Sequence, residues 1–162
     1  NENQVNKYIS KINKSYDLKA ISCKNAQEVT ENSEILITTT PSKEPLIKQD
    51  WLHPGMQITA MGSDTEHKNE IDPKIVIKSD LYVCDRQTQT SILGELNHAI
   101  KKGFVDKDKK FTEIGEIING TKSGRKSDQD IIVCDLTGTG VQDTAIAQLT
   151  FQKAQHNVGL KI

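Results

Sequence analysis

Apolar positions along the chain fall into short runs separated by helical stretches or polar connections. Five runs are rich in β-branched or aliphatic residues: 19–23, 35–40, 56–61, 81–84 and 131–134. They alternate little, which is the pattern of strands buried on both faces. Strands spaced by helices predict right-handed crossovers, a mostly parallel sheet and an α/β fold.

The helical stretches have their own periodicity. Val5, Tyr8, Ile9 and Ile12 recur at helical spacing. Asn25 is placed to cap a short helix through Val29, with Glu28 at the capping-box position. Residues 71–77 predict another short helix, with Pro73 accommodated in its first turn. Ile92, Leu93, Leu96, Ala99 and Ile100 form one stripe ending at Gly103, and Ile114, Ile117 and Ile118 form a shorter one stopped at Gly120. Val141, Ala145 and Leu149, with Ala147, Phe151 and Ala154, describe the last helix. Stretches 103–110 and 120–130 are rich in Lys, Asp, Ser and Gly and read as solvated connections. Trp51 is expected to pack as a lid over an end of the sheet.

Composition narrows the function classes. A chain of 162 residues supports one domain, and 35% hydrophobic with only 4% aromatic residues predicts an aliphatic core. The 21 basic and 22 acidic residues nearly cancel, and no basic stripe runs beside stacking aromatics, so nucleic acid is not an expected partner. No apolar run approaches a membrane span, and no secretory pattern opens the sequence. Cys23, Cys84 and Cys134 each fall in an expected strand without a CxxC pair, which reads as reduced core thiols and a cytoplasmic setting. His53, His67, His98 and His156 have no metal-ligand spacing, so no metal is expected.

Ligands of an open parallel sheet bind beyond the C-terminal strand ends. Three such ends carry polar chemistry. The first is the Thr38–Thr40 run, where Pro41 biases Thr40 toward an extended backbone; it reads as a cofactor contact or as a continuing strand. In the second, Met61 and Gly62 lead into Asp64 and Lys68, four apart and on one face of any helical turn. A carboxylate beside a lysine in a cleft can move protons; the same spacing also describes an exposed ion pair of little energetic value. His67 reads either as a catalytic neighbour of Asp64 or as an exposed loop histidine. The third end, Asp135-Leu136-Thr137-Gly138-Thr139-Gly140, turns into a helix and offers backbone amides to an anion, or is a structural turn. It is neither a GxGxxG fingerprint nor a P-loop.

Together these stretches are specific. The succession TTTPSKEPLIKQDWLHPGMQITAMGSDTEHKNEIDP, then DLYVCDR, GEL, TEIGEIINGTKSGR and DIIVCDLTGTGVQD, resembles the ornithine cyclodeaminase/μ-crystallin family from about Cys23 to the end. The resemblance implies the C-terminal portion of a Rossmann-type NAD(P)-binding domain, with residues 1–162 as a partial domain. It also implies NAD or NADP as cofactor, a small amino-acid substrate and a homodimeric full-length parent. The reaction it implies is amino-acid cyclodeamination, with hydride abstraction from Cα, imine formation and ammonia loss. Ketimine reductase or amino-acid dehydrogenase chemistry is the family's alternative, and a silent binding protein is a third. Carried over by position, Asp64 matches the general base and Lys68 a lysine beside the cofactor. Thr38 or Thr40 matches a cofactor-contacting threonine, Met61 an apolar neighbour of the nicotinamide, and Thr137 a hydroxyl near the cofactor; Gly62 allows close backbone approach. DLTGTGVQDTAIA is similar to the cyclodeaminase-like proteins of ectoine utilisation. The family's GxGxxG turn, ribose-reading residue and substrate domain have no counterpart in this sequence. The expectation is therefore a C-terminal piece of a longer enzyme, inactive by itself.

Overall fold

The computed structural model describes residues 2–154; His156 lies outside them. Five parallel strands form one sheet: β1 (Ile35–Thr38), β2 (Gln57–Ala60), β3 (Leu81–Cys84), β4 (Thr112–Glu113) and β5 (Ile132–Asp135). Their order across the sheet is β1-β2-β5-β3-β4, so β5 enters between strands formed much earlier in the chain. Helices connect them: α1 (Glu2–Ser15), α2 (Ala26–Glu31), α3 (Ile75–Lys78), α4 (Gln87–Thr90), α5 (Glu95–Lys101), α6 (Ile114–Ile118) and α7 (Gly140–Ala154).

Register explains the core. Leu36, Ile58, Val133 and Tyr82 stand level across four strands, and Thr38, Ala60, Asp135 and Cys84 stand level two residues further on. Both rows share one face, because side chains two apart on a strand point the same way. That face is buried under Ile75 and Val76 of α3 and Leu96 and Ala99 of α5. The other face is unevenly covered. Val83 and Ile132 are buried there, but Ile35 and Ile37 of β1 are 68% and 60% exposed. Burial on both faces, expected from the apolar runs, therefore holds for β3 and fails for β1, where covered and exposed residues alternate.

Other expectations need revision. Residues 19–23 are not a strand. The Asn13 side chain bonds both the N–H and the C=O of Ala20, and Ile21 is 70% exposed. A β-branched stretch with no neighbouring strand has nothing to pair with, and propensity alone does not make a sheet. The fifth strand is instead the two-residue β4, paired at the other edge. Of the stripe ending at Gly103, Leu96, Ala99 and Ile100 lie on α5, whereas Ile92 and Leu93 fall in the turn between α4 and α5, where Gly94 lies against Asp135. Asn25 does cap α2 through the Glu28 amide, but the Glu28 carboxylate reaches the Lys24 amide rather than that of Asn25. Asp72, Pro73 and Lys74 form a turn that delays the start of α3 to Ile75. Gly103 and Gly120 end their helices as expected, at φ 73° and 77°. Trp51 sits half-buried in a 3-10 turn before β2, which packs against α2, with the Lys48 ammonium 5.2 Å from its ring centroid. It is thus at the end of the sheet opposite the polar rim. The three cysteines are free thiols; Cys84 is buried and Cys23 and Cys134 are half-buried.

Candidate functional site

The C-terminal ends of β1, β2, β5 and β3 open on one rim, and each delivers the polar residues that follow it. The loop after β2 (62–70) carries Asp64 and Lys68. Their side chains meet at 2.6 Å, with Asp64 half exposed and Lys68 largely covered. Next to it, the half-exposed Met61 stands at the end of β2, its amide bonded to the Thr38 carbonyl. Asp64 and Lys68 are therefore a pair on the rim, with Thr40 and Met61 nearby. His67 points elsewhere, 3.3 Å from the exposed Glu66 carboxylate.

Beneath the rim lie four buried carboxylates that the sequence reading left without a role or placed elsewhere: Glu70, Asp85, Glu95 and Asp135. Glu70 accepts from the Thr38 hydroxyl at 2.6 Å, the Thr40 amide at 2.5 Å and the Gly62 amide at 2.8 Å, tying together the ends of β1 and β2. Glu95 accepts from the Asn69 side chain at 2.5 Å and from the amides of Glu70 and Ile71 at 2.8 and 3.4 Å. Asp135 accepts from the Tyr82 hydroxyl at 2.8 Å and the Leu96 amide at 3.0 Å, which fixes the start of α5. Asp85 accepts from the Gly138 amide at 2.8 Å and from the Thr137 hydroxyl, holding the turn into α7. Gln89 completes that turn, donating to the Thr137 hydroxyl and the Gly138 carbonyl. Among the described residues none of the four carboxylates has a Lys or Arg within ion-pair distance. Amides and hydroxyls alone compensate them.

The electrostatic consequence is large. Burial pushes Glu95 up to about 8, against the pull of the Glu70 amide, and pushes Asp135 up to about 6, against the Leu96 amide and the Tyr82 hydroxyl. Tyr82 is itself raised well above its usual range, by burial and then by the neighbouring Asp135. Among the described residues, one Asp135 oxygen, Oδ1, has no hydrogen-bond partner. Burial lowers His98; its Nε2 lies 2.7 Å from the Lys68 carbonyl, which can only accept, so Nε2 is the donor there.

This placement sorts the expected site residues. Asp64, Lys68 and Met61 stand at the rim at least partly exposed, and the Thr40 hydroxyl there accepts from the Ser42 amide at 3.3 Å. Thr38, Gly62 and Thr137 lie at the same rim, but their donors point inward, to Glu70, Glu70 and Asp85 respectively. Gly62 does allow close approach, and what approaches is protein: an added Cβ would lie 2.3 Å from the Glu70 carboxylate and 2.4 Å from the Thr40 carbonyl. Among the described residues, no His/Cys/Asp/Glu cluster has the makings of a metal site, and no helix is long and apolar enough to cross a membrane.

A parallel sheet of this order, with its polar residues gathered at the carboxyl ends of the strands, defines a Rossmann-type α/β domain. The chain belongs to the ornithine cyclodeaminase/mu-crystallin family, whose model matches residues 1–157. It is 51% identical over 129 residues to an uncharacterized cyclodeaminase of Sinorhizobium fredii, covering 80% of this chain and 39% of that protein. Its fold superposes on an archaeal alanine dehydrogenase dimer with bound NAD at a TM-score of 0.86 and 35% identity, over 99% of this chain and 49% of that one. The Δ1-pyrroline-2-carboxylate reductase of Thermococcus litoralis, in complex with NADH and L-proline, superposes at 0.92 with 28% identity, over 100% of this chain and 50% of that one. The chain thus spans between 39% and 50% of the length of these relatives.

Proposed function

We propose that this chain contributes the proton-transfer loop and part of the cofactor rim of an NAD(P)-dependent amino-acid cyclodeaminase. The observation that carries this reading is the Asp64–Lys68 pair, closed at 2.6 Å on the C-terminal rim. The rim suits a nicotinamide: the half-exposed Met61 thioether offers an apolar platform at the end of β2, in the same loop that carries the Asp64–Lys68 pair. When bound, the cofactor supplies a hydride acceptor for the substrate Cα and later returns the hydride. The protein's part is to take the proton that the substrate amine must lose as its Cα–N bond becomes an imine. Lys68 engages Oδ1 of Asp64, so Oδ2 is the oxygen through which that proton is taken. Thr38 and Gly62 act on the cofactor indirectly, by fixing the strand ends that present Thr40 and Met61, and Thr137 does so by holding the turn into α7. The active unit is the whole protein, taken to be a homodimer.

Asp64→Asn in the full-length protein is expected to lower turnover by roughly 10²–10⁴-fold with the circular dichroism spectrum unchanged. Normal turnover in that variant would sink the assignment. A second reading, a reductase or dehydrogenase with net cofactor consumption, is favoured by the names of the two superposing enzymes. Absorbance of the reduced cofactor separates the two: it stays constant through many turnovers in a cyclodeaminase and changes stoichiometrically in a reductase or dehydrogenase.

A further inference from the structure

Asp64 and Lys68 are anchored by neither of their own side chains. The loop that carries them is held from two sides: segment 42–47 bonds it at Asn69 and Glu70 through the Ser42 carbonyl and the Leu46 and Ile47 amides, and α5 grips the stretch that includes Lys68 itself. On α5, Asn97 donates to the Glu66 carbonyl at 3.4 Å, His98 to the Lys68 carbonyl at 2.7 Å, and Glu95 accepts at Asn69, Glu70 and Ile71. The Ser63 hydroxyl closes on the same Lys68 carbonyl from within the loop.

We propose that Glu95 is a positioning residue, whose buried carboxylate sets the place of the Asp64–Lys68 loop relative to the sheet. The inference rests on the reading of Asp64 as the proton-transfer group. Three features single out Glu95 within α5. It is 1% exposed, and a carboxylate buried without a cation is costly unless its geometry is required. Both of its oxygens meet donors, so a glutamine would set its NH₂ against an N–H and could not reproduce the site. It is also the middle link of a continuous run of contacts. Asp135 of β5 fixes the amide of Leu96; Glu95 then fixes the amide of Glu70; and the Glu70 carboxylate fixes Thr38, Thr40 and Gly62. One chain of bonds therefore joins the ends of β5, β1 and β2 to the loop. Its own anchor is tight: at Gly94, a Cβ would lie 2.6 Å from the Asp135 carboxylate.

The test is made on the full-length protein, with amide hydrogen exchange and steady-state kinetics measured side by side. Glu95→Gln is expected to speed exchange in segment 62–71 by about tenfold or more, while amides of β2, β3 and β5 stay within about twofold. Turnover should fall by about 10–100-fold with the cofactor KM nearly constant, as for a displaced but intact base. Glu95→Asp, which keeps the acceptor on a shorter arm, should recover part of both. Loop exchange that does not change, or that rises equally across the sheet, overturns the proposal. Should Glu95→Gln fail to fold, Asn69→Ala removes one of its three donors from the loop side; absence of local loosening there overturns the proposal as well. If Asp64→Asn keeps normal turnover while Glu95→Gln still loosens the loop, the functional reading fails and the positioning claim stands.

Discussion

Glu95 and Asp135 hold protons more tightly in the fold than in the open chain, and this gives stability a definite pH dependence. An acid whose folded value is raised binds extra protons in the native state, so its contribution weakens as pH rises between the two values. For Glu95 that window runs from its usual 4.5 to about 8, and for Asp135 from 3.8 to about 6. His98 acts in the opposite sense: its lowered value favours the unfolded state as pH falls below its usual 6.5. The total slope is therefore mixed, and a comparison with Glu95→Gln isolates the Glu95 part. The stability of the parent relative to this variant should decline by roughly 1–3 kcal/mol between pH 5 and pH 8.5. Urea unfolding at the two pH values measures it, and an equal difference at both would show that Glu95 titrates normally.

At the scale of elements, the docking of α5 on β5 is the joint from which the site loop is held. Gly94 is where the two meet, with Asp135 oxygens 2.6 Å from the place of a Cβ, so Gly94→Ala must displace a fully buried carboxylate or the start of the helix. It is expected to cost about 1–3 kcal/mol in urea unfolding, as other overpacked substitutions do. Gly115, inside α6, has nothing within 4 Å of its Cβ position, so Gly115→Ala should be neutral or stabilising by up to about 1 kcal/mol. Equal effects at the two glycines would refute the tight joint. This joint was also the least legible feature of the sequence. Hydrophobic period located four of the five strands, the terminal helices and the stops at Gly103 and Gly120, because burial on a regular element leaves a periodic trace. The expected strand at 19–23 has no partner strand, and pairing is not written in local composition. The helix break near Gly94 arises from Asp135, forty-one residues further along the chain. Asp64 and Lys68 were legible because spacing of four is local and their motif has family resemblance. Glu70 and Glu95 were not, because a buried acid looks the same in sequence as a solvated one until its amide donors are in place.

For the molecule as a whole, the open sheet face decides behaviour in solution. Leu36 is covered and Thr38 nearly so, yet Ile35 and Ile37 on the other face of the edge strand β1 stand 68% and 60% exposed. Neither α1 nor α7 covers them, since neither helix buries any residue, and Tyr8, Val141 and Phe151 are 65%, 72% and 69% exposed as well. Two exposed isoleucines on a strand edge that no other described strand pairs favour association, by burial and by strand pairing together. The 162-residue chain in isolation should therefore show concentration-dependent association in sedimentation velocity. The double variant Ile35→Lys/Ile37→Lys places charge on the edge without touching the covered face. Its unfolding free energy should stay within about 1 kcal/mol of the parent, twice the usual range for a single surface substitution, while its association falls. If the variant associates as strongly as the parent, the attraction lies on the apolar faces of α1 and α7, and substitutions at Tyr8 and Phe151 should relieve it instead. If the parent stays monomeric at every concentration, the exposed isoleucines are too few to drive contact, and the edge of β1 is protected by the twist and shortness of its four residues.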